Sequence, residues 1–223
     1  MGRGRHAGYD DQREAILAHA AQLFADRGYP ATSMNEVALA SGLSKATLYH
    51  YYRDKYALLV SICDAHVTRL QAIVDETLAQ DAAPPKRMRE LIRRLVEEYA
   101  HAQDAHRVLT QDVKFLGDAD RARILGKERE VVAGFARVVG ELRPDLDEAA
   151  LSKPLTMLLF GMVNWMFTWM RPDGALDYDT MAPIVTQLFL GGLKAVSVER
   201  SALGVQRTSP TRPTHDAQRP TTP

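Results

Sequence analysis

The sequence predicts an all-α protein. Apolar residues recur at helical spacing along most of the chain. No segment alternates apolar and polar residues as a half-buried strand does, and no Asn-Gly hairpin turn occurs. With 223 residues, 46% of them hydrophobic, the chain can bury a full core as one large domain or two small ones.

The elements follow in order. Residues 1–10 are polar and Gly-rich and are expected to form a flexible arm. Asp11–Arg27 carries Ile16, Ala20, Leu23 and Phe24 on one face, with Gly28 as its stop. Two short helices and a tight turn are expected from Ser33 to Tyr52. A long helix then runs from Asp54 to about Gln80, with Leu58, Leu59, Ile62, Leu70, Ile73 and Val74 along its apolar side, until Pro84-Pro85 breaks the chain. Helices are expected at Lys86–His101, His106–Leu116 and Ala119–Leu142. Another is expected at Asp147–Met170, kinked or restarted near Pro154, and the last at Asp179–Val198. Arg171 to Gly174 is a turn. Residues 200–223, rich in Thr, Pro and Arg, are expected to be a disordered tail.

The stretch from Ser33 to Lys55 carries the most chemical information. Ser33 with Glu36 three residues on is a capping box, so a helix starts there. Val37 and Ala38 point inward, Gly42 can take the positive φ of a tight turn, and Leu43 plugs the corner. Ser44 caps a second helix that Leu48 anchors. Two helices crossed at a Gly-containing turn make a helix-turn-helix. Lys45, Thr47, Tyr49 and His50 put hydrogen-bonding groups on the outer side of the second helix, where a duplex major groove can be read. Ser44 and the adjoining amides, and the Tyr49 and Tyr51 hydroxyls, suit phosphates. Lys55 falls in the first turn of the long helix, where a cation opposes the helix dipole. A nearby phosphate would relieve that conflict, so Lys55 is assigned to the DNA backbone.

Charge alone does not point to nucleic acid. The formal net charge is zero, and residues 1–60 hold seven Lys or Arg against six Asp or Glu. A helical ligand-binding or interaction protein with a degenerate head is therefore the alternative reading. Cys63 is the only cysteine, which suits a reducing compartment. No secretory signal is visible, and the apolar run Leu155–Met170 is short for a bilayer span. A cytoplasmic protein without a membrane partner is expected. Gly-rich phosphate loops, His-Glu-x-x-His and nucleophile elbows are absent, so neither an enzyme nor a cofactor is expected. His101, Asp104 and His106 do not share one helix face, and Cys63 with His66 supplies only two ligands, so no metal site is assigned.

Gly28-Tyr29, Thr32-Ser33, Val37-Ala38, Ser41-Gly42-Leu43-Ser44 and Thr47-Leu48-Tyr49-His50-Tyr51-Tyr52-x-x-Lys55 together resemble the signature of the TetR family of transcription regulators. The resemblance covers about Asp11 to Leu59. It implies an all-α homodimer, usually a repressor, on a palindromic DNA operator. It also implies an N-terminal three-helix helix-turn-helix DNA-binding domain (11–57), joined by a long helix to a C-terminal helical ligand-binding and dimerisation domain (58–199). Carried over residue by residue, it places Thr32, Ser33, Asn35, Lys45, Thr47, Tyr49, His50, Tyr51 and Lys55 at DNA-contact positions. Two departures stand out: Tyr52 replaces the usual Phe and adds a hydroxyl, and Tyr56 stands where an acidic residue is common.

Leu158–Gly174, rich in Met, Phe and Trp, and Leu188–Leu193 are similar to the C-terminal region of family members that respond to acyl-CoA thioesters. That shorter resemblance implies a small hydrophobic effector, an acyl-CoA foremost, with Trp165 and Trp169 lining its pocket as well as packing in a dimer's four-helix bundle. Lys86, Arg87, Arg89, Arg93, Arg94, Arg121 and Arg123 are the cations considered for a CoA phosphate. Gly161, Gly191 and Gly192 would let bundle helices approach closely.

Overall fold

The computed structural model describes residues 3–170 and 176–197. The turn expected at Arg171 to Gly174 and the tail expected from residue 200 lie outside the described residues. Within them the chain forms ten α-helices and two short 3-10 turns, with no strand.

Helix α1 spans Arg3–Arg27. The segment expected to be an arm is continuous with it, because no proline interrupts the helical hydrogen bonding, and Tyr9 anchors the added turns by stacking on Tyr51 at 4.8 Å between ring centroids. Helices α2 (Met34–Ala40) and α3 (Lys45–Tyr51) follow. The Leu43 amide donates to the Ala38 carbonyl at 2.9 Å, and Gly42 takes φ +65°, which closes the turn between them. Helix α4 spans Lys55–Leu78, and the Asp54 side chain caps it by accepting from the Ala57 amide at 2.7 Å.

Beyond α4 come α5 (Pro84–His101), α6 (Gln103–Asp112), a 3-10 turn at Val113–Phe115 and α7 (Asp118–Leu142). The single helix expected at Asp147–Met170 is broken. It appears as α8 (Pro144–Glu148) and α9 (Ser152–Val163), with Ala150 between them at φ +58°. The restart before Pro154 leaves that proline in the first turn of α9, where its missing N–H has no intrahelical partner to lose. A 3-10 turn at Met166–Thr168 follows, then α10 (Tyr178–Ala195), which Asp177 caps.

Two hydrophobic cores sit along α4. The lower packs Ile16, Phe24, Val37, Leu48, Leu58 and Leu59 with Val108 and Leu109 of α6, Leu116, and Ile124 of α7. The upper joins Leu70 and Val74 of α4 to α5, α7, α9 and α10 through Leu91, Leu95, Phe135, Phe160 and Phe189. Gly134 sets the α4–α7 crossing, since a Cβ there would lie only 2.2 Å from Val74 Cγ1. The head therefore shares its core with α6 and α7 and is not suspended from α4 alone. Helix α4 is long and apolar enough to span a bilayer by length and composition, but its apolar stripe is consumed by these two cores.

Candidate nucleic-acid interface and effector cavity

The local signals of the head are all realised. Ser33 accepts from the Glu36 amide at 3.3 Å, while the Glu36 carboxylate accepts from the Ser33 amide at 2.7 Å. These bonds to Ser33 hold the Glu36 carboxyl below the usual carboxylate range, with Arg27 at 2.7 Å adding to the effect. Ser44 accepts from the Thr47 amide at 3.1 Å, and the two hydroxyls share a hydrogen bond at 2.8 Å. The Tyr52 hydroxyl has its partner: it accepts from Arg13 Nε at 3.1 Å.

Ser33, Asn35, Lys45 and Tyr49, with Thr32 and Lys55, line one shallow cleft where the start of α2 meets α3. Ser33, Asn35, Ser44, Lys45, Tyr49 and His50 are exposed, Thr47 is half-buried, and Leu48 is fully buried behind them. The outer side of α3 is thus free along its length. Lys45 has no ion pair among the described residues and lies 6.0 Å from the centroid of the Tyr49 ring.

Three sequence-selected residues point elsewhere. The Lys55 ammonium donates to the carbonyls of Tyr29, Pro30 and Thr32 at 2.8, 3.1 and 2.7 Å. Its three protons are thereby spent, and the conflict with the α4 dipole is relieved by carbonyl oxygens rather than by a phosphate. Thr32 is buried, and its hydroxyl is bonded to the carbonyls of Leu23 and Gly28 at 3.2 and 3.1 Å, so its side chain holds the loop. Tyr51 turns toward α1, half-buried against Tyr9 and the head core.

The Tyr29–Thr32 loop is gripped from a second side. The buried Asp112 carboxyl at the end of α6 sits beside the Tyr29 backbone: burial raises its pKa, and the Tyr29 amide acts against that rise. Tyr56 reaches the same corner: its hydroxyl donates to Asp120 Oδ2 at 2.8 Å and accepts from the Gly117 amide at 3.0 Å.

One turn and more up α6, a cavity of about 430 Å³ opens between α4, α5, α6, α7 and α9. Val67, Leu70, Leu109, Val131 and Phe160 give it an apolar wall, and Tyr99, His106, Glu128 and Asn164 line it with polar groups. Arg129 and Lys153 stand exposed at its edge, also border the neighbouring outer groove, and make no ion pair among the described residues. Trp165 and Trp169, expected in the pocket, are absent from its lining and are more than half exposed. The resemblance that singled them out does not say which side of the helix this chain covers. With Leu158, Met162, Ile184 and Leu188 they form an uncovered apolar face on the α9–α10 side.

The chain matches the family model described as Bacterial regulatory proteins, tetR family, over residues 16–62, and the Tetracyclin repressor-like, C-terminal domain over residues 81–193. The second match alone spans half of the chain. The chain belongs to the TetR family. It is a DNA-binding transcriptional regulator. A TetR-family regulator from Bordetella parapertussis 12822 superposes with a TM-score of 0.76 at 34% identity, over 83% of this chain and 97% of that one. The transcriptional repressor KstR2 of Mycobacterium tuberculosis is 29% identical over 82% of this chain and 94% of its own. The TetR-fold protein AibR, solved with isovaleryl coenzyme A and operator DNA, superposes with a TM-score of 0.67 at 26% identity, over 79% of this chain and 97% of its own.

In this TetR-family chain the cations considered for a CoA phosphate are largely committed. Arg87 pairs with Glu141, Arg93 with Glu90 and Glu97, Arg94 with Glu76, Arg121 with Asp118, and Arg123 with Asp64 and Asp120. Arg129 and Lys153 were not singled out, because each is one basic residue on an ordinary helix face until the fold brings α7 and the start of α9 to the same opening.

Proposed function

We propose that this regulator is a cytoplasmic, homodimeric repressor that a small amphipathic anion, an acyl-CoA thioester foremost, releases from a palindromic operator. On this reading the protein acts by binding, without turnover. The observation that carries the effector is the apolar cavity opening beneath two cations, Arg129 and Lys153, that make no ion pair among the described residues. Hydrocarbon gains by entering such a chamber, and phosphates gain by resting on its rim. AibR binds isovaleryl coenzyme A, and KstR2 is a repressor, which supports both halves of the reading.

DNA recognition is assigned to Ser33, Asn35, Ser44, Lys45, Thr47, Tyr49 and His50. These line or flank the exposed side of α3, with Thr32 and Lys55 holding the loop that carries them. The uncovered α9–α10 face supports pairing with a second copy, and Gly161, Gly191 and Gly192 leave room there for a close approach. Filling the cavity pushes on His106, Leu109 and Thr110 of α6. That helix ends at Asp112, whose carboxyl sits beside the Tyr29 backbone, so α6 as well as α4 would carry the change to the head. The ligand releases DNA only by the ratio of its affinities for the two states, and a swing from 1:99 to 99:1 needs about 5.5 kcal/mol.

Operator release and thermal shift, measured with a series of acyl-CoAs against free CoA, test this. Release by acyl-CoAs in the wild type, weakened about tenfold or more in Arg129→Ala/Lys153→Ala, is the expected result. Release by an unrelated uncharged ligand, with none by any acyl-CoA, would overturn it. A reporter fused to the footprinted promoter gives the sign of regulation.

A further inference from the structure

Among the described residues, Glu128 on α7 is the one acidic side chain lining the cavity. The polar neighbours there are already engaged. The Tyr99 hydroxyl donates to Asn164 Oδ1 at 2.8 Å, and the Thr110 hydroxyl donates to the His106 carbonyl at 2.9 Å. His106 lies with Nδ1 3.3 Å from His66 Nε2 and Nε2 3.4 Å from the Asn164 carbonyl oxygen. Glu128 itself makes no hydrogen bond or ion pair among the described residues, and neither Arg129 nor Lys153 pairs with it. Its carboxyl is half-buried and burial raises its pKa; burial raises the pKa of Tyr99 and Cys63 too, and the Glu128 charge adds to both rises. The carboxyl therefore borders the chamber with no partner among the described residues, and water is what would satisfy it there.

A plain hydrocarbon chain entering this cavity would strip that water and give nothing back, and a buried acceptor left unpaired is costly. We propose that Glu128 reads a hydroxyl group on the enclosed part of the effector, so that the cavity takes a hydroxylated acyl chain in preference to the saturated chain of equal length. The identity of the chain's carrier as CoA rests on the function proposed above, whereas the reading of the hydroxyl does not. A hydroxyl fits better than an ammonium for two reasons. It bonds the carboxyl whether ionised or protonated, and it is not repelled by Arg129 and Lys153 at the opening. Sites that hydrogen-bond a substrate hydroxyl discriminate strongly against the analogue lacking it.

The test uses two matched pairs on the full chain, by calorimetric titration: a hydroxyacyl-CoA against the saturated acyl-CoA of the same length, and an α,ω-diol against the 1-alcohol of the same length. The wild type should prefer the hydroxylated member of each pair about tenfold or more. Glu128→Leu should abolish or reverse the preference. Glu128→Gln, which keeps an acceptor oxygen and is the variant to rely on should the leucine form not fold, should retain part of it. Equal affinity within both pairs, or a preference that survives in Glu128→Leu, would overturn the assignment. Diol preference without binding of any CoA thioester would remove the acyl-CoA effector and leave Glu128 in its role. Absence of binding by all four compounds would overturn both.

Discussion

The Lys55 ammonium lies 4.5 Å from the centroid of the Tyr29 ring while donating to the Tyr29 carbonyl at 2.8 Å. With the Pro30 and Thr32 carbonyls it completes a cage that fixes the loop between α1 and α2 on the first turn of α4. Hydrogen bonds to a charged donor contribute more than neutral ones, so Lys55→Met should destabilise the protein by about 2 kcal/mol. Thermal unfolding without DNA checks this, because a residue that only met phosphate would leave the free protein's Tm unchanged. Operator binding should also weaken, on specific and scrambled duplexes alike, as the cleft loses its order.

Lys45 should behave in the opposite way. It is exposed, has no ion pair among the described residues and lies on the outer side of α3, so Lys45→Ala should alter stability by no more than about 0.5 kcal/mol. If it reads a base edge, affinity for the operator should fall by about 1–3 kcal/mol, with a smaller loss on scrambled DNA. A competition assay at fixed salt separates the two losses. An equal fall on both duplexes, with a shallower salt dependence, would reassign Lys45 to phosphate.

Tyr56 ties the head to the corner between α6 and α7 through Asp120 and the Gly117 amide. Tyr56→Phe keeps the ring and removes both bonds. The expected stability loss is modest, about 1 kcal/mol. The larger effect should be on coupling. Effector affinity of the free protein should be retained, while the factor by which effector weakens operator binding should shrink, within the roughly 5–150-fold range usual for such linkage. Titrating operator affinity against effector in both proteins measures this, and an unchanged factor would leave Asp112 and α4 as the only routes.

What the sequence disclosed about this molecule was local. The Ser33–Glu36 box, the Ser44 cap and the Gly42 turn each depend on residues within a few positions of one another, and all appear as expected. Lys55 was legible as an unfavourable charge but not as a caged one, because its partners lie more than twenty residues away, on the loop before α2. Trp165 and Trp169 illustrate the same limit for packing: helical spacing marks an apolar side without revealing whether the same chain covers it. The cations near the cavity could be sorted only by their partners, since Arg87, Arg93 and Arg94 differ from Arg129 in which carboxylates the fold brings beside them. Residues 3–10 joined α1 because Tyr51 offered a ring for Tyr9 to stack on, a contact between segments over forty residues apart.

The cavity-lining His106 has a second buried imidazole behind it. His66 of α4 and His106 of α6 approach within 3.3 Å, and the Tyr99 ring stacks on His106 at 3.9 Å between centroids. Burial pushes His66 down to about 3, with the His106 charge and Arg69 acting in the same direction, and pushes His106 down to about 4. Both folded values lie below the unfolded histidine value of about 6.5, so the fold favours the neutral rings. Their contribution to stability is full above about pH 6.5 and is lost as the pH falls from there toward 4 and 3, because the unfolded chain binds protons that the folded chain refuses. The Tm of the wild type should therefore fall on acidification below about pH 6.5, and His66→Leu should flatten that fall while leaving the carboxylate titrations in place. Parallel Tm–pH curves for the two proteins would show that the pair does not set the acid sensitivity.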